Sequence, residues 1–115
     1  LVAIILLDLF LYWQHRVFHR IRWLWRLHLP HHSDKKMDAT TGLRFHLIEY
    51  LFIIAIKGLG IILIGPPVWS VVVFEVLFNL GTMLNHANVS LPARLEHRLR
   101  LVFVTPVMHR MHHSE

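Results

Sequence analysis

The sequence contains no cysteine. A disulfide framework, a thiolate-bound zinc and an iron–sulfur cluster are therefore excluded, and any bound metal must use nitrogen and oxygen ligands. Acidic residues are also scarce, seven against twelve lysines and arginines, which gives a net charge of +5. The basic residues stand mainly at the ends of apolar stretches. This placement is typical of a membrane protein under the positive-inside rule and argues against nucleic acid as a partner.

The chain has few polar residues for its length, and it is rich in histidine. Apolar residues make up 55% of the 115 positions, and eleven histidines fall in tight groups. The sequence has no initiator methionine and no cleavable signal pattern, and it stops directly after a histidine cluster. We interpret residues 1–115 as a single domain from a longer protein, with sequence missing at both ends.

Apolar runs predict an all-α fold, an integral membrane helical bundle. Residues 1–13 are apolar apart from Asp8 and are too short to cross a bilayer alone, so they are interpreted as the end of a membrane helix. Residues 14–46 are polar and predicted to be extramembrane. Residues 47–85 contain two apolar runs separated by Gly65, Pro66 and Pro67, which predicts a transmembrane helical hairpin. Residues 86–115 are then predicted to lie on the same side of the membrane as residues 14–46.

The side on which the hairpin opens carries most of the arginines. The positive-inside rule therefore predicts a multi-pass membrane protein with residues 14–46 and 86–115 in the cytoplasm.

Each arm of the predicted hairpin contains one central charge. Lys57 lies nine residues before Pro66 and Glu75 nine residues after it. Antiparallel arms would place both at one depth, where unpaired charges cost about 2.5 to 3.5 kcal/mol each. We predict an ion pair between them; solvation by neighbouring helices is the alternative.

Three histidine groups, termed boxes 1 to 3, are the strongest signal in the sequence. Box 1 has spacing i, i+4, and boxes 2 and 3 have spacing i, i+3, i+4, which brings the side chains of each box to one helical face. Eight imidazoles are too many for one ordinary metal ion and about enough for two with open positions. The boxes are His15 and His19; His28, His31 and His32; and His109, His112 and His113.

Spacing alone leaves zinc, copper, iron and nickel open. A zinc protease is disfavoured because box 1 lacks the glutamate of His-Glu-x-x-His, and a bis-histidine haem does not need adjacent histidines. A histidine-rich membrane metal-binding or transport protein without redox catalysis is the main alternative function, but it would require a polar path through the apolar runs. A pH-sensing interaction module would not require paired triplets.

The boxes, in their order and approximate spacing, resemble the fatty acid hydroxylase and sterol desaturase superfamily. The resemblance extends over nearly the whole chain, through the segments Asp8-x-x-x-Tyr12-Trp13-x-His15-Arg16, Arg44-Phe45-His46-x-x-Glu49, His86-Ala87-Asn88-Val89-x-Leu91-Pro92 and Thr105-Pro106-x-x-His109.

This resemblance implies two non-haem iron ions, O2 as co-substrate and oxidation of an alkyl carbon in a lipid, such as a sterol or a fatty acyl chain. The product would be an alcohol or an alkene. It also implies an external electron donor, a ferredoxin or a cytochrome of the b5 type with a reductase. The arginines among the boxes would bind anionic lipid headgroups or such a donor.

Further histidines lie outside the boxes. His86 resembles a further metal ligand of the family. His46 is a candidate ligand, a donor to a ligand or a helix-entry residue, whereas His97 stands in a charged stretch and is predicted to be solvated.

Three polar residues are candidates for supporting contacts. Asp8 and Tyr12 share one helical face with box 1 and would orient a ligand imidazole through its second nitrogen. Asn88 would hold a metal-bound water. Pairing with another helix, or ordinary helix-end chemistry, is the alternative for these residues.

Overall fold

The computed structural model describes residues 1–34 and 36–114, so Lys35 and Glu115 lie outside the described residues. All regular elements in this described part are helical, which confirms the all-α prediction. They are α1 (Val2–Arg20), α2 (Arg22–His32), a short 3-10 helix (Ala39–Leu43), α3 (Leu47–Ile64), α4 (Val68–His86), α5 (Ala93–Leu99) and α6 (Pro106–His113).

Helices α3 and α4 form a hairpin around Gly65. This glycine adopts a left-handed conformation, with φ 60° and ψ 44°, and its N–H donates to the carbonyl of Ile61. A left-handed residue after the last helical turn is a common helix end, and glycine adopts it without a Cβ clash. Pro67 then caps α4. The break in the sequence is therefore a tight helix–helix turn.

Both arms of the hairpin are long and apolar enough to cross a membrane. Only 11% of the residues in each apolar stretch are buried within the chain. A core helix of a soluble protein would bury most of such a stretch. The exposed surface of α3 and α4 is thus mainly apolar.

Helix α1 packs against both arms of the hairpin. Leu7 and Leu11 of α1 form the buried apolar core with Phe74 of α4. Gly60 of α3 is buried, and a Cβ there would lie 3.2 Å from the side chain of Leu7. α1 continues without interruption from its apolar half through box 1 to Arg20. The predicted border between the apolar residues 1–13 and the polar residues 14–46 therefore lies within one continuous helix, where apolar side chains give way to polar ones.

Lys57 and Glu75 connect the two arms of the hairpin. The Lys57 Nζ atom lies 2.6 Å from Glu75 Oε1, and both side chains are partly buried. Asn79 donates from Nδ2 to the Glu75 carbonyl, at 2.7 Å. The structure thus brings the two central charges together at one level of the hairpin.

Candidate metal centre

The three boxes and His86 converge at the open end of the hairpin. Eight of these imidazoles form two groups, and within each group the ligand nitrogens all lie within 4.8 Å of one another. Cluster A is His15, His19, His32 and His112; cluster B is His31, His86, His109 and His113.

Boxes 2 and 3 each contribute to both clusters. His109 and His113, at i and i+4, face cluster B, while His112 between them faces cluster A. In box 2, His32 faces cluster A and His31 faces cluster B. Adjacent residues of a helix point about 100° apart, because the helix has 3.6 residues per turn. The adjacent histidine pairs therefore serve two neighbouring sites.

The nitrogen separations in cluster B fit metal coordination. His86 Nε2 lies 3.1 Å from His31 Nε2 and 2.9 Å from His109 Nε2, and His109 Nε2 lies 3.2 Å from His113 Nε2. An ion with bonds of about 2.1 Å to imidazole places two nitrogens about 3.0 Å apart at a right angle and about 3.4 Å apart at the tetrahedral angle. The observed separations therefore fit imidazoles that bind one ion.

Cluster A also brings imidazole nitrogens close together. His15 Nε2 lies 2.9 Å from His112 Nε2. His19 Nε2 and both ring nitrogens of His32 are buried without a hydrogen-bond partner. Buried polar atoms are normally bonded, so these nitrogens indicate the position of a missing partner. A metal ion between the two rings would accept the lone pair of His19 Nε2 and of one His32 nitrogen.

His28 lies beside cluster A and is held by a carboxylate. Its Nδ1 atom lies 2.5 Å from Oε1 of Glu49, and both side chains are almost fully buried. Its other nitrogen, Nε2, is buried without a partner, and its ring centroid is 4.8 Å from that of His15. A carboxylate that accepts from one imidazole nitrogen fixes the tautomer and leaves the other nitrogen free to bind a metal. His28 is thus a candidate fifth ligand of cluster A.

Backbone carbonyls orient two ligands of cluster B in the same way. His31 donates from Nδ1 to the carbonyl of Arg44 at 3.2 Å, and His86 donates from Nδ1 to the carbonyl of Thr82 at 2.7 Å. With the Nδ1 proton held there, the Nε2 lone pairs face the cluster.

The clusters are direct neighbours. The rings of His32, in cluster A, and His113, in cluster B, are stacked with centroids 4.0 Å apart and planes 8° apart. Two ions bound in the clusters would therefore share one centre.

Burial keeps the ligand imidazoles neutral. Desolvation, followed by repulsion from neighbouring imidazoles, lowers the pKa of His31 to about 3 and the pKa of His19 and His113 to about 4. The ordinary histidine value is about 6.5. The nitrogens are therefore unprotonated at neutral pH, the state that binds a metal.

Gly42 brings the 3-10 helix against the candidate ligand His86. A Cβ at this position would lie 3.0 Å from His86 Nδ1 and 3.0 Å from the Thr82 side chain. Asp34 holds this segment, because Thr41 Oγ1 donates to its carboxylate at 2.8 Å and Arg44 donates to it at 2.7 Å. The segment thus packs against one ligand and supplies the carbonyl that orients another.

Helix α6, which carries box 3, is fixed at both ends. Thr105 caps its first turn by accepting from the N–H of Met108, and its hydroxyl donates to Glu96 of α5 at 2.5 Å. Arg110 donates to the carbonyls of Ala87 and Val89, at 3.2 and 3.0 Å. Its guanidinium therefore joins α6 to the end of α4.

Other candidates from the sequence lie outside both clusters. His46 caps α3, where its Nδ1 accepts from the N–H of Ile48, so the structure gives it the helix-entry role. The Tyr12 hydroxyl accepts from Arg16 at 2.9 Å. Asp8, Asn88 and His97 are exposed. The structure therefore does not bring these residues to the ligand groups described above.

Two residues of the centre were not selected as site residues from the sequence. Glu49 was identified only as part of a family segment, and its position as a lone acid in the first turn of an apolar helix was the available signal. Gly42 has no such signal, because its importance depends on an approach between segments 40 residues apart in the chain.

Comparison with known proteins identifies the family of the chain. The family model for fatty acid hydroxylases matches residues 1–115. The chain is 32% identical to the ornithine lipid hydroxylase of Rhizobium tropici over 114 residues, which are 99% of the chain and 34% of that protein. It is 30% identical to human alkylglycerol monooxygenase over 109 residues, 93% of the chain and 23% of that protein. The chain thus spans about a third or less of the length of these relatives. No solved structure matches it.

Proposed function

Because the chain belongs to the fatty acid hydroxylase family, we propose that it is the catalytic segment of an O2-dependent, non-haem di-iron enzyme that hydroxylates or desaturates an alkyl C–H bond of a lipid. The observation that carries the proposal is the pair of adjacent imidazole clusters. Two iron ions held there would pass electrons from an external donor to O2, which is the oxidant for removal of hydrogen from an unactivated carbon.

The residues of the chain have distinct tasks in this proposal. Clusters A and B hold the ions, and Glu49 and the carbonyls of Arg44 and Thr82 hold imidazole rings in the binding orientation. An alkyl C–H bond has no acidic proton, so no general base is required of the surrounding side chains. Their role is to enclose the centre and to keep its nitrogens unprotonated.

The proposal includes a membrane location. The exposed apolar surfaces of α3 and α4 fit a bilayer, and the clusters lie at the end of the hairpin where a lipid reaches from the hydrocarbon layer. Because the segments at this end are rich in arginine, the positive-inside rule assigns it to the cytoplasm. A ferredoxin or a cytochrome b5-type protein with its reductase would deliver electrons there.

Lipid analysis with controlled oxygen tests the function. Membranes containing the full-length protein, a reductant and lipid extract should form a product 16 mass units heavier, or 2 lighter, only when O2 is present. His31→Ala and His112→Ala should abolish the product while the protein still inserts, and His97→Ala, at an exposed histidine outside both clusters, should retain it. Product formation without O2, or by either cluster variant, would contradict the proposal.

A further inference from the structure

An exposed apolar segment precedes the helix that carries box 3. The side chains of Leu101, Val102, Phe103 and Val104 are 51 to 77% exposed. They follow α5, which buries none of its residues, and they come directly before the buried Thr105. Single exposed apolar side chains are ordinary on a protein surface, but four in succession form a contiguous patch, and such patches mark interaction sites.

The patch continues along the outer side of α6. Val107 and Met111 are exposed and lie about one helical turn apart. At about 100° per residue they point away from the histidines of box 3, which face the two clusters. Helix α6 therefore has histidines on one side and apolar side chains on the other.

The surface beside the patch is basic. Arg94, Arg98 and Arg100 are exposed, and none of them has an ion-pair partner among the described residues. Glu96 is the only acidic residue from position 93 to position 114, and its Oε1 atom accepts from the Thr105 hydroxyl. The three arginines are therefore available to an anionic partner.

The patch lies near the end of the second hairpin arm. His109 Nε2 is 2.9 Å from Nε2 of His86, the last residue of α4. Thr105 precedes His109 by four residues, which corresponds to about 6 Å along α6. Residues 101–104 thus end about one helical turn from the level at which α4 leaves the hairpin.

We propose that residues 101–104 and the outer side of α6 form an anchor that binds the surface of an anionic lipid bilayer. The apolar side chains enter the border between headgroups and acyl chains, and Arg98 and Arg100 bind headgroup phosphates. An apolar side next to basic residues is the usual composition of a segment that lies in a membrane interface. Because Thr105 caps α6 directly after the patch, the anchor holds box 3 at a fixed depth relative to the bilayer.

This proposal rests on the membrane location within the proposed function and is independent of the oxidation chemistry. A bilayer also matches the shape of the surface. Four successive loop side chains present no defined cavity or ridge, and burial of apolar groups in a bilayer requires none, because the hydrophobic effect is non-directional.

Quenching by nitroxide lipids tests the anchor. Each probe is a single cysteine that carries a nitrobenzoxadiazole fluorophore, in full-length protein without other cysteines, reconstituted in bilayers that contain phosphatidylglycerol. Nitroxides on the acyl chains quench only fluorophores within the bilayer. The probes Phe103→Cys and Leu101→Cys should each lose about half of their intensity. Ile62→Cys, exposed on the hairpin, should be quenched as well, whereas Lys36→Cys, exposed in the polar segment, should not.

Removal of charge tests the role of the arginines. Each arginine near an anionic surface changes the binding equilibrium about fivefold. The double variant Arg98→Gln, Arg100→Gln should therefore lose most of the quenching at Phe103→Cys, as should the wild-type arginines in bilayers of phosphatidylcholine alone. Arg20→Gln, Arg22→Gln removes the same charge at the exposed junction of α1 and α2 and should retain the quenching.

The pattern of quenching separates the anchor from the other proposals. Quenching at Ile62→Cys with none at Phe103→Cys and Leu101→Cys would overturn the anchor and leave the membrane location intact. Blue-shifted emission at Phe103→Cys without quenching would also overturn it, because a second copy, another protein or another part of the chain would then cover the patch. Quenching of the anchor probes in a protein that never oxidises lipid would uphold the anchor and refute the proposed enzymatic function.

Discussion

The spacing of histidines within a box determines which imidazoles share a helical face. His109 and His113 share cluster B because four residues make about one helical turn, and His112 is rotated toward cluster A. A hydrogen bond donated by one ring nitrogen of a histidine fixes the tautomer and leaves the lone pair of the other nitrogen available to a metal. Glu49 and two backbone carbonyls accept this hydrogen bond from His28, His31 and His86.

Glu49→Gln should weaken metal binding. The amide keeps the size of the side chain but removes the carboxylate that orients the His28 ring. Loss of such a supporting group typically lowers metal affinity about 10- to 100-fold. Competition with a chelator, followed by metal analysis of the full-length protein, measures this change. Glu75→Gln, in the hairpin, is the control; equal affinity in the wild type and Glu49→Gln would refute the role of Glu49.

Gly42→Ala should displace His86. The new methyl group would lie 3.0 Å from His86 Nδ1, so the ring or the 3-10 helix must shift. We expect weaker binding of the ion at cluster B, with cluster A retained, measured by metal titration. Gly81→Ala lies on the same helix as His86 and its Cβ meets open space, so it should bind both ions. Identical titrations of the two variants would show that the close approach is unimportant.

At the level of elements, the sequence was sufficient to predict an all-α chain and the two arms of the hairpin, whereas α5 and the 3-10 helix were not predicted. Two apolar runs around Gly65, Pro66 and Pro67 predict the arms of the hairpin, because few other local patterns produce such a break. The division of boxes 2 and 3 between two clusters was not predicted, because it depends on how α2, α4 and α6 are rotated against one another. The contacts of Glu49 and Gly42 depend on the same tertiary packing.

The ion pair between Lys57 and Glu75 should stabilise the hairpin. Lys57→Glu would place two carboxylates together in an apolar setting, and Glu75→Lys two ammonium groups, so each should lower the midpoint of thermal unfolding. The double variant Lys57→Glu, Glu75→Lys restores opposite charges and should recover most of the loss. A double variant no more stable than either single variant would exclude direct pairing.

At the scale of the whole molecule, the buried imidazoles make the stability of the metal-free protein depend on pH. His31, His19 and His113 have lowered pKa values of about 3 to 4 in the folded state, whereas in the unfolded chain they titrate near 6.5. Between these values the unfolded state binds more protons, so stability rises with pH. The contribution of the neutral imidazoles to the free energy of unfolding should be fully present above pH about 6.5. It should fall progressively as the pH decreases toward about 4.

Thermal unfolding of metal-stripped protein in detergent checks this dependence. The midpoint should fall steadily from pH about 7 to about 4, and His97→Ala should follow the wild type because this side chain is exposed. A midpoint that stays constant or rises on acidification over this interval would contradict the buried, neutral state of the imidazoles.

The metal content of the purified full-length protein tests the central claim most directly. Elemental analysis should give two iron ions per chain in the wild type and in His97→Ala. His31→Ala removes a ligand of cluster B and His15→Ala a ligand of cluster A, so each should retain about one ion. A wild-type protein that is fully active with one ion, or with none, would contradict the two-site account.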